Sequence, residues 1–267
     1  MPIRMVALDI DGTLLSPSAA HTDLPSPEIV AAVAALQSAG VIVVLATGRM
    51  YPGTAPVARH LNISEPLVCQ QGAAVHNLDG TLRERHPLPI EVAAELVDYA
   101  AEHRLDYAWF NSERYLVTRE SPETSYFTAV SGVTAEVHPA PQNTEVAPMG
   151  FDLIASPERS REIFAELSAR YAGRVNLLGF NTVTAVHSLE SSKAKALARI
   201  ATSRGIAAGE VLAIGDSIND VSMLRWAGIG AAPSHCDDNA RDAADELLAE
   251  PGVAGVAARL RMAAAAA

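Results

Sequence analysis

Cysteine and positive charge are both scarce in this chain. Its 267 residues include two cysteines, Cys69 and Cys236, which are too few for a disulfide framework and lack metal-ligand spacing. Lys and Arg together number 20 against 31 Asp and Glu, which gives a net charge of −11. No basic cluster stands out in the sequence. These features argue against nucleic acid and against an anionic membrane surface as partners.

A hydrophobic run long enough for a membrane span is also missing. The nearest approach is residues 30–47, which Gly40 divides into a helix-like half and a β-branched half. Asp9 and Asp11 stand where the apolar part of a signal peptide would have to lie. We therefore expect a cytoplasmic protein with reduced thiols, acting as a monomer or a homodimer.

Strand-like and helix-like segments alternate at both ends of the sequence. Ser26 followed by Pro27, with Gly40 beyond the next apolar stretch, is typical of a helix between two strands. Continuous apolar runs are typical of parallel strands covered on both faces, and such runs occur at 3–8, 41–46, 66–70 and 211–215. The pattern predicts an α/β fold with a doubly wound, Rossmann-like parallel sheet.

The middle of the chain has a different pattern. Asp79-Gly80 between two strand-like arms predicts a hairpin, and further helices and hairpins follow, whereas 120–147 shows no clear pattern. Such a mixture is typical of an α+β unit with an antiparallel sheet. We predict a core formed by 1–83 and 189–267, interrupted by an inserted domain at 84–188. Trp109 and Phe110 are expected in the hydrophobic core of that insertion.

Polar side chains follow several of the predicted parallel strands. Ligands of open parallel sheets bind beyond the carboxyl ends of the strands, so these residues should share one rim of the sheet. They are Asp9, Asp11 and Gly12 after the first strand, Thr47 and Gly48 after the second, and Asp216, Asn219 and Asp220 after the strand at 211–215, with Lys193 opening the preceding helix.

Carboxylates gathered in one place require a cation. Two of them about 4 Å apart repel by about 4 kcal/mol at an effective dielectric near 20, and three or four together would approach the whole stability of a domain, roughly 5–15 kcal/mol. One lysine does not offset this repulsion. Oxygen ligands without His or Cys favour Mg²⁺, which keeps coordination positions for phosphate oxygens. The rim therefore indicates phosphoryl chemistry.

Each residue of the rim suits a particular role in that chemistry. Asp9 can be the nucleophile that forms an aspartyl-phosphate, and Asp11 can protonate the leaving oxygen and then deprotonate a water. These roles require pKa values pushed apart, with Asp9 kept charged and Asp11 holding a proton. Lys193 and Thr47 can bind phosphate oxygens. Gly12 allows a sharp turn, Asp216 completes the metal site and Asp220 supports it from behind or pairs with the lysine.

The order DIDGT, ATGR, Ser192-Lys193 and GDSIND resembles the four motifs of the haloacid dehalogenase superfamily of phosphatases. The insertion between the second and third motifs resembles the C2-type cap of the Cof-like branch, subclass IIB. The resemblance implies Asp9 as nucleophile, Asp11 as acid/base and donor of a backbone oxygen to Mg²⁺, and Asp216 as a further metal ligand. It also implies phosphate binding by Thr47, Lys193 and Asn219, which Gly12 and Gly48 would assist.

The sequence departs from that branch at Gln71, at Ala194 and at 233–235. We interpret Arg49 as a structural ion-pair donor, and His76, His187 and His235 as residues that bind no metal. The expected activity is that of a Mg²⁺-dependent phosphatase acting on a small phosphorylated metabolite of the sugar phosphate type. Three alternatives stay open: a hexose phosphomutase of the phosphomannomutase type, a phospho-accepting receiver, and a non-catalytic binder of phosphorylated metabolites.

Overall fold

The computed structural model describes residues 2–17, 22–249 and 252–267 of the chain. Ser26 accepts a hydrogen bond from the Ile29 backbone at the start of the first helix, and Gly40 follows that helix with φ +79°, both as predicted. The first elements are β1 (Met5–Leu8), α1 (Pro27–Ser38), β2 (Ile42–Leu45), α2 (Tyr51–His60), β3 (Leu67–Cys69), β4 (Ala74–His76) and β5 (Leu82–Arg85).

The inserted part of the chain mixes helices with antiparallel strands. The region 120–147, which showed no clear pattern, contains a helix capped by reciprocal hydrogen bonds between Ser121 and Thr124 and a short strand. The elements here are α3 (Ile90–His103), β6 (Asp106–Phe110), β7 (Tyr115–Val117), α4 (Pro122–Ser131), β8 (Ala135–Val137), β9 (Gly150–Ile154), α5 (Pro157–Arg170), β10 (Val175–Gly179) and β11 (Val183–Ser188).

The alternation of strands and helices returns in the last third. The short strand near residue 246 and the full length of the last helix were not predicted, since the alanine-rich end indicated only a fraying helix. The elements are α6 (Lys193–Ser203), β12 (Val211–Ile214), α7 (Val221–Trp226), β13 (Ile229–Ala232), α8 (Asp238–Ala243), β14 (Glu246–Leu247) and α9 (Gly252–Ala265).

The first and last thirds of the chain share one parallel sheet. Its strand order is β14-β13-β12-β1-β2, with every neighbouring pair parallel, and a bridge between Ala46 and Val68 brings β3 beside β2. Helices α1 and α9 pack on one face and α6, α7 and α8 on the other. This is the doubly wound α/β core that the sequence predicts. The order of the strands reverses between β1 and β12, where ligands of such sheets bind.

The insertion forms a second sheet in the order β10-β11-β9-β6-β7-β8, antiparallel except for the last pair. Alternate residues of its strands face opposite sides. Trp109, Phe151 and Leu153 pack against α3 and α5, whereas Phe110 and Asp152 line a cavity on the other side. The predicted α+β cap is therefore present, and we call this sheet with its helices the cap.

The cap lies directly on the core. Gln70 of the core donates a hydrogen bond of 2.7 Å to the Asn111 carbonyl of the cap, and the Ser131 hydroxyl accepts one from the Met50 backbone. A Cβ atom on Gly53 would lie 2.1 Å from the Val130 carbonyl oxygen, so glycine is needed for this close approach. In the described ranges, no helix has both the length and the apolarity to cross a membrane.

Candidate active site

Three acidic side chains converge where the strand order of the core reverses. Asp9 follows β1 and Asp216 follows β12, because these neighbouring parallel strands end at the same edge. Asp220 lies one turn beyond Asp216. Each of the three residues contributes one carboxylate oxygen to a group whose members lie within 4.8 Å of one another. The structure thus brings these three residues together at one edge of the sheet.

Lys193 lies under this acidic cluster at the start of α6. Its Nζ atom donates hydrogen bonds of 2.6 Å to Asp9 Oδ1 and to Asp220 Oδ1, and its side chain is 1% exposed. Burial opposes the charge of Lys193, but the Asp220 and Asp9 carboxylates outweigh it and raise the pKa of the ammonium group. Lys193 is therefore a fixed positive charge that holds Asp9 in place.

Asp220 supports the cluster from inside the protein. Its second oxygen, Oδ2, accepts hydrogen bonds from the backbone N–H groups of Asp216 (2.9 Å) and Ser217 (3.1 Å). Together with the bond from Lys193, these contacts engage both carboxylate oxygens. Of the three clustered carboxylates, Asp9 and Asp216 are the ones that face the cavity.

The charges of the cluster do not balance without a further cation. Burial, and then the charge of Asp220, raise the pKa of Asp9 well above its ordinary value, although Lys193 lowers it. Burial, and then Asp220, also raise the pKa of Asp216 to about 7. The protein groups alone thus oppose an ionised Asp9, whereas the sequence prediction has a metal ion and Lys193 together keep Asp9 charged. A hard divalent cation fits this all-oxygen donor set, because it would favour both charged carboxylates.

The turn after β1 packs tightly against Asp216. Gly12 has φ +82°, and a Cβ atom there would lie 2.2 Å from Asp216 Oδ2, so only glycine fits. Thr13 donates a hydrogen bond of 3.1 Å to Asp216 Oδ1. His235 Nε2 lies 2.7 Å from the Gly12 carbonyl oxygen. Although His235 was expected to bind no metal, nothing in its sequence surroundings indicated that it would support this turn.

Of the residues predicted to bind phosphate, all but the buried Lys193 line the same cavity. Thr47, Gly48 and Asn219 come from separate parts of the chain, and Gln71 links two of them. Asn219 Nδ2 donates to Gln71 Oε1 at 3.3 Å, and a Cβ atom on Gly48 would lie 2.6 Å from Gln71 Nε2. Gln71 itself has φ +59°. Gln71 therefore places a second amide beside the predicted phosphate site.

Asp11 lies apart from the acidic cluster. Its side chain accepts two hydrogen bonds from Arg49, one of 2.8 Å from Nε and one of 2.5 Å from Nη2. Arg49 is buried, and it also donates to the Gly53 carbonyl at 3.2 Å. Arg49 is thus an ion-pair donor, as interpreted from the sequence. Its partner is Asp11, the residue to which the sequence assigns the acid/base role.

A cavity of about 620 Å³ separates this rim of the core from the cap. The cap contributes Phe110 and Asp152 from its sheet and Tyr126 from α4. Burial, and then the charge of Asp11, raise the pKa of Tyr126, which shows how close α4 lies to the acidic residues. Trp109 and Phe110 are both buried in hydrophobic clusters of the cap, as expected: Trp109 packs against α3 and α5, and Phe110 lies in a second cluster that borders the cavity.

An acidic cluster with a buried lysine, at the reversal point of a doubly wound sheet beneath a cap, defines a phosphoryl-transfer type of site. The model of the haloacid dehalogenase-like hydrolase family matches residues 6–260. The chain belongs to this family, as the sequence motifs indicated.

Curated relatives in the family are named as phosphatases. The 5-amino-6-(5-phospho-D-ribitylamino)uracil phosphatase of Bacillus subtilis is 27% identical over 259 residues, which cover 97% of this chain and 95% of the relative. The phosphoglycolate phosphatase of Halorubrum lacusprofundi is 30% identical over 259 residues and 96% of both chains. These relatives support the phosphoric monoester hydrolase class expected from the sequence.

The fold is shared with solved structures as well. The subclass IIB sugar phosphatase BT4131 superimposes with a TM-score of 0.78 at 19% identity, over 97% of this chain and 98% of that one. At this identity the likeness shows the fold alone. It confirms the α/β architecture with an inserted cap.

Proposed function

We propose that this protein is a Mg²⁺-dependent phosphatase that hydrolyses a small phosphorylated metabolite of the sugar phosphate type through an aspartyl-phosphate on Asp9. In this proposal 1–83 and 189–267 form the catalytic core and 84–188 form the cap. A reducing cytoplasm is the proposed compartment, since Cys69 and Cys236 are both free thiols. The protein would act as a monomer or a homodimer.

The observation that supports this function best is the contact between Lys193 and Asp9. A lysine 1% exposed holds one oxygen of a carboxylate at 2.6 Å, and the same carboxylate lines the cavity beneath the cap. A structural ion pair would have no need of a cavity or of two further carboxylates. A nucleophile must be held in one orientation, must be accessible to the substrate, and needs neighbouring groups that help to bind the phosphoryl group. The lysine contact, the cavity and the two further carboxylates correspond to these three requirements.

Asp9, Asp216 and the backbone carbonyl of Asp11 would hold the Mg²⁺. When bound, the cation would neutralise the clustered carboxylates and the phosphoryl oxygens. Asp220 would keep its supporting position through its bonds to Lys193 and to the backbone. Thr47, Lys193 and Asn219 would bind the remaining phosphoryl oxygens, with Gly12 and Gly48 allowing the backbone to approach.

In the first step an Asp9 oxygen attacks the phosphorus atom, and the bond from phosphorus to the leaving oxygen breaks. Asp11 gives its proton to that oxygen, so the dephosphorylated alcohol leaves neutral. In the second step Asp11 takes a proton from a water, whose oxygen attacks the phosphorus of the aspartyl-phosphate. Inorganic phosphate leaves and Asp9 is restored. Both steps require Asp11 to move out of its ion pair with Arg49.

A phosphomutase, the main alternative, must bind a second phosphate on the cap side of the cavity. Of the described residues that line this cavity, Arg49 is the one lysine or arginine, and it is paired with Asp11. The cap instead contributes the carboxyl groups of Glu123 and Asp152. This distribution of charge favours hydrolysis of a monophosphate. Phosphate release in the absence of a bisphosphate activator would support the phosphatase over the phosphomutase. It would also exclude a protein that only binds phosphorylated metabolites.

The Asp9→Asn variant tests the nucleophile. Asparagine keeps the size of the side chain but cannot form the aspartyl-phosphate, so phosphate release from p-nitrophenyl phosphate should fall by about 10⁴-fold or more. Circular dichroism and thermal melting should show an intact fold. Asp238→Asn, an exposed position in α8, is the matched control and should keep wild-type activity. An Asp9→Asn rate within tenfold of wild type would overturn the assignment.

A further inference from the structure

Asp152 lies on the face of the cap sheet that borders the cavity. A buried carboxylate at such a position requires an explanation. It lies in β9 between Phe151 and Leu153, whose side chains pack into the cap core. Because side chains alternate along a strand, Asp152 faces the opposite way and lines the cavity. Its side chain is buried, with 9% of the residue exposed.

The protein gives this carboxylate little to bind. Asp152 Oδ1 is buried without a hydrogen-bond partner. The residues directly opposite on the two neighbouring strands are Ala108 and Ala185, which have no polar atom and leave space beside the carboxylate. A buried, unpaired carboxylate destabilises a fold. Its presence in a cavity wall indicates a partner that comes from outside the protein.

The charge around Asp152 indicates which partner would fit. Glu123 of α4 adds a second carboxylate to the cap side of the cavity. His187 of β11 also lines it, and burial lowers the pKa of His187 to about 4, so that the ring is neutral at physiological pH. Arg49, the one lysine or arginine in the described lining, is held by Asp11. An anionic group at this end of the cavity would meet repulsion.

Aromatic rings stand next to the carboxylate. Phe110, Tyr115 and Phe127 form a cluster with ring centroids 4.6–5.9 Å apart, and all three line the cavity. Phe110 and Tyr115 are each 2% exposed and Phe127 is partly buried, so together they form an apolar surface beside the leaving-group end of the cavity. The cap wall thus combines such a surface with one buried hydrogen-bond acceptor.

We propose that Asp152 is a specificity-determining residue that accepts a hydrogen bond from the leaving group, and that the enzyme prefers substrates whose leaving group ends in a hydroxyl, an N–H or an ammonium over those ending in a carboxylate or phosphate. The proposal rests on the phosphatase function argued above. The proposal distinguishes between the substrates in the names of the two relatives. An aminouracil bearing a ribityl chain has such donors, whereas phosphoglycolate ends in a carboxylate.

Aryl phosphates that differ only at the para position test the proposal. The probes are 4-aminomethylphenyl, 4-hydroxymethylphenyl, 4-methylphenyl and 4-carboxyphenyl phosphate, and kcat/KM is measured for each with the full-length wild type, Asp152→Asn and Asp106→Asn. Asp106 belongs to the same sheet but pairs with Arg119 outside the cavity, which makes it the matched control. Ratios between substrates cancel any general loss of activity caused by poorer folding.

Wild type and Asp106→Asn should both prefer the aminomethyl over the carboxyl compound by about tenfold or more, and the hydroxymethyl over the methyl compound in the same direction. In Asp152→Asn the aminomethyl-to-carboxyl ratio should fall to within about threefold of unity. A wild type that hydrolyses all four compounds without preference would overturn the role of Asp152 and leave the phosphatase intact. So would an unchanged ratio in Asp152→Asn. A wild type that releases phosphate from none of them would overturn the proposed function, and the role of Asp152 with it.

Discussion

Arg49 donates two hydrogen bonds to Asp11, so the proposed acid of the reaction rests in an ion pair rather than beside the acidic cluster. Arg49 is buried and bound to the Gly53 carbonyl, at the place where the cap approaches most closely. Asp11, by contrast, is partly exposed to the cavity. The mobile partner of this pair is therefore Asp11, and its role can be tested separately from that of Asp9.

The acid role of Asp11 predicts a dependence on the leaving group. An alkoxide leaves poorly without a proton, whereas p-nitrophenolate leaves without help. Asp11→Ala should lower kcat/KM for an alkyl phosphate by about 10²- to 10⁴-fold and for p-nitrophenyl phosphate by less than about tenfold. The ratio of kcat/KM values reports the step in which the leaving group departs. Equal losses for both substrates would contradict the role.

The acidic cluster predicts a requirement for a divalent cation. Chelation should stop phosphate release and added Mg²⁺ should restore it. Within the described cluster, Lys193 is the one positively charged side chain beside the converging carboxylates of Asp9 and Asp216, so a metal ion is needed to balance their charge. Asp216→Asn should raise the Mg²⁺ concentration for half-maximal activity by about tenfold or more. Asp238→Asn, away from the cluster, should leave that concentration unchanged. Full activity after chelation would exclude the metal site.

Lys193 predicts a large effect on stability as well as on activity. In Lys193→Met the carboxylates of Asp9 and Asp220 lose their buried partner, so unfolding at pH 7 should require about 3–5 kcal/mol less free energy. Lys195→Met removes an exposed lysine of the same helix that pairs with Glu190, and its effect should stay below about 1 kcal/mol. Denaturant titration measures both. Equal effects would show that the Lys193 contacts contribute no more than a surface ion pair.

Asp152 predicts a stability that depends on pH. Burial raises its pKa from 3.8 to about 7, so below pH 4 the carboxyl is protonated in the folded and in the unfolded chain. Between pH 4 and 7 only the unfolded chain loses the proton, and the folded state becomes less favourable by at most about 4 kcal/mol. Asp152→Asn should therefore melt higher than wild type at pH 8, and the difference should shrink toward pH 4. Asp106→Asn should show no such trend, and a constant difference for Asp152→Asn would contradict the prediction.

The core of the site could be predicted from the sequence because its residues follow parallel strands. Asp9 and Asp216 end apolar strands that lie side by side, and Lys193 opens a helix that packs on the same sheet. Neighbouring strand ends must meet at one edge, whatever the details of the loops. The local sequence pattern was therefore enough to predict that these three residues lie close together.

The remaining contacts depend on pairings that no local pattern reveals. Asp152 stands in an alternating strand, where an acidic residue normally indicates a face in contact with water, and only the docking of the cap encloses it. The same docking brings Phe110 into one buried cluster with Met50 of the core. The partnership of Arg49 with Asp11 spans 38 residues, and that of His235 with Gly12 spans 223. The start of helix α4 was indicated in the sequence by Ser121-Pro122. It was not recognised because the surrounding stretch is rich in Pro, Thr and Glu.

Asp9 and Lys193 are separated by 184 positions in the chain, with the entire cap between them. β1 also receives one of its two neighbouring strands, β12, only from the last third of the sequence. A ribosome therefore releases the first strand with its acidic residues long before the lysine and the second neighbour exist. The growing polypeptide cannot complete this centre until the cap has been synthesised, so each molecule acquires its full set of charges only near the end of translation.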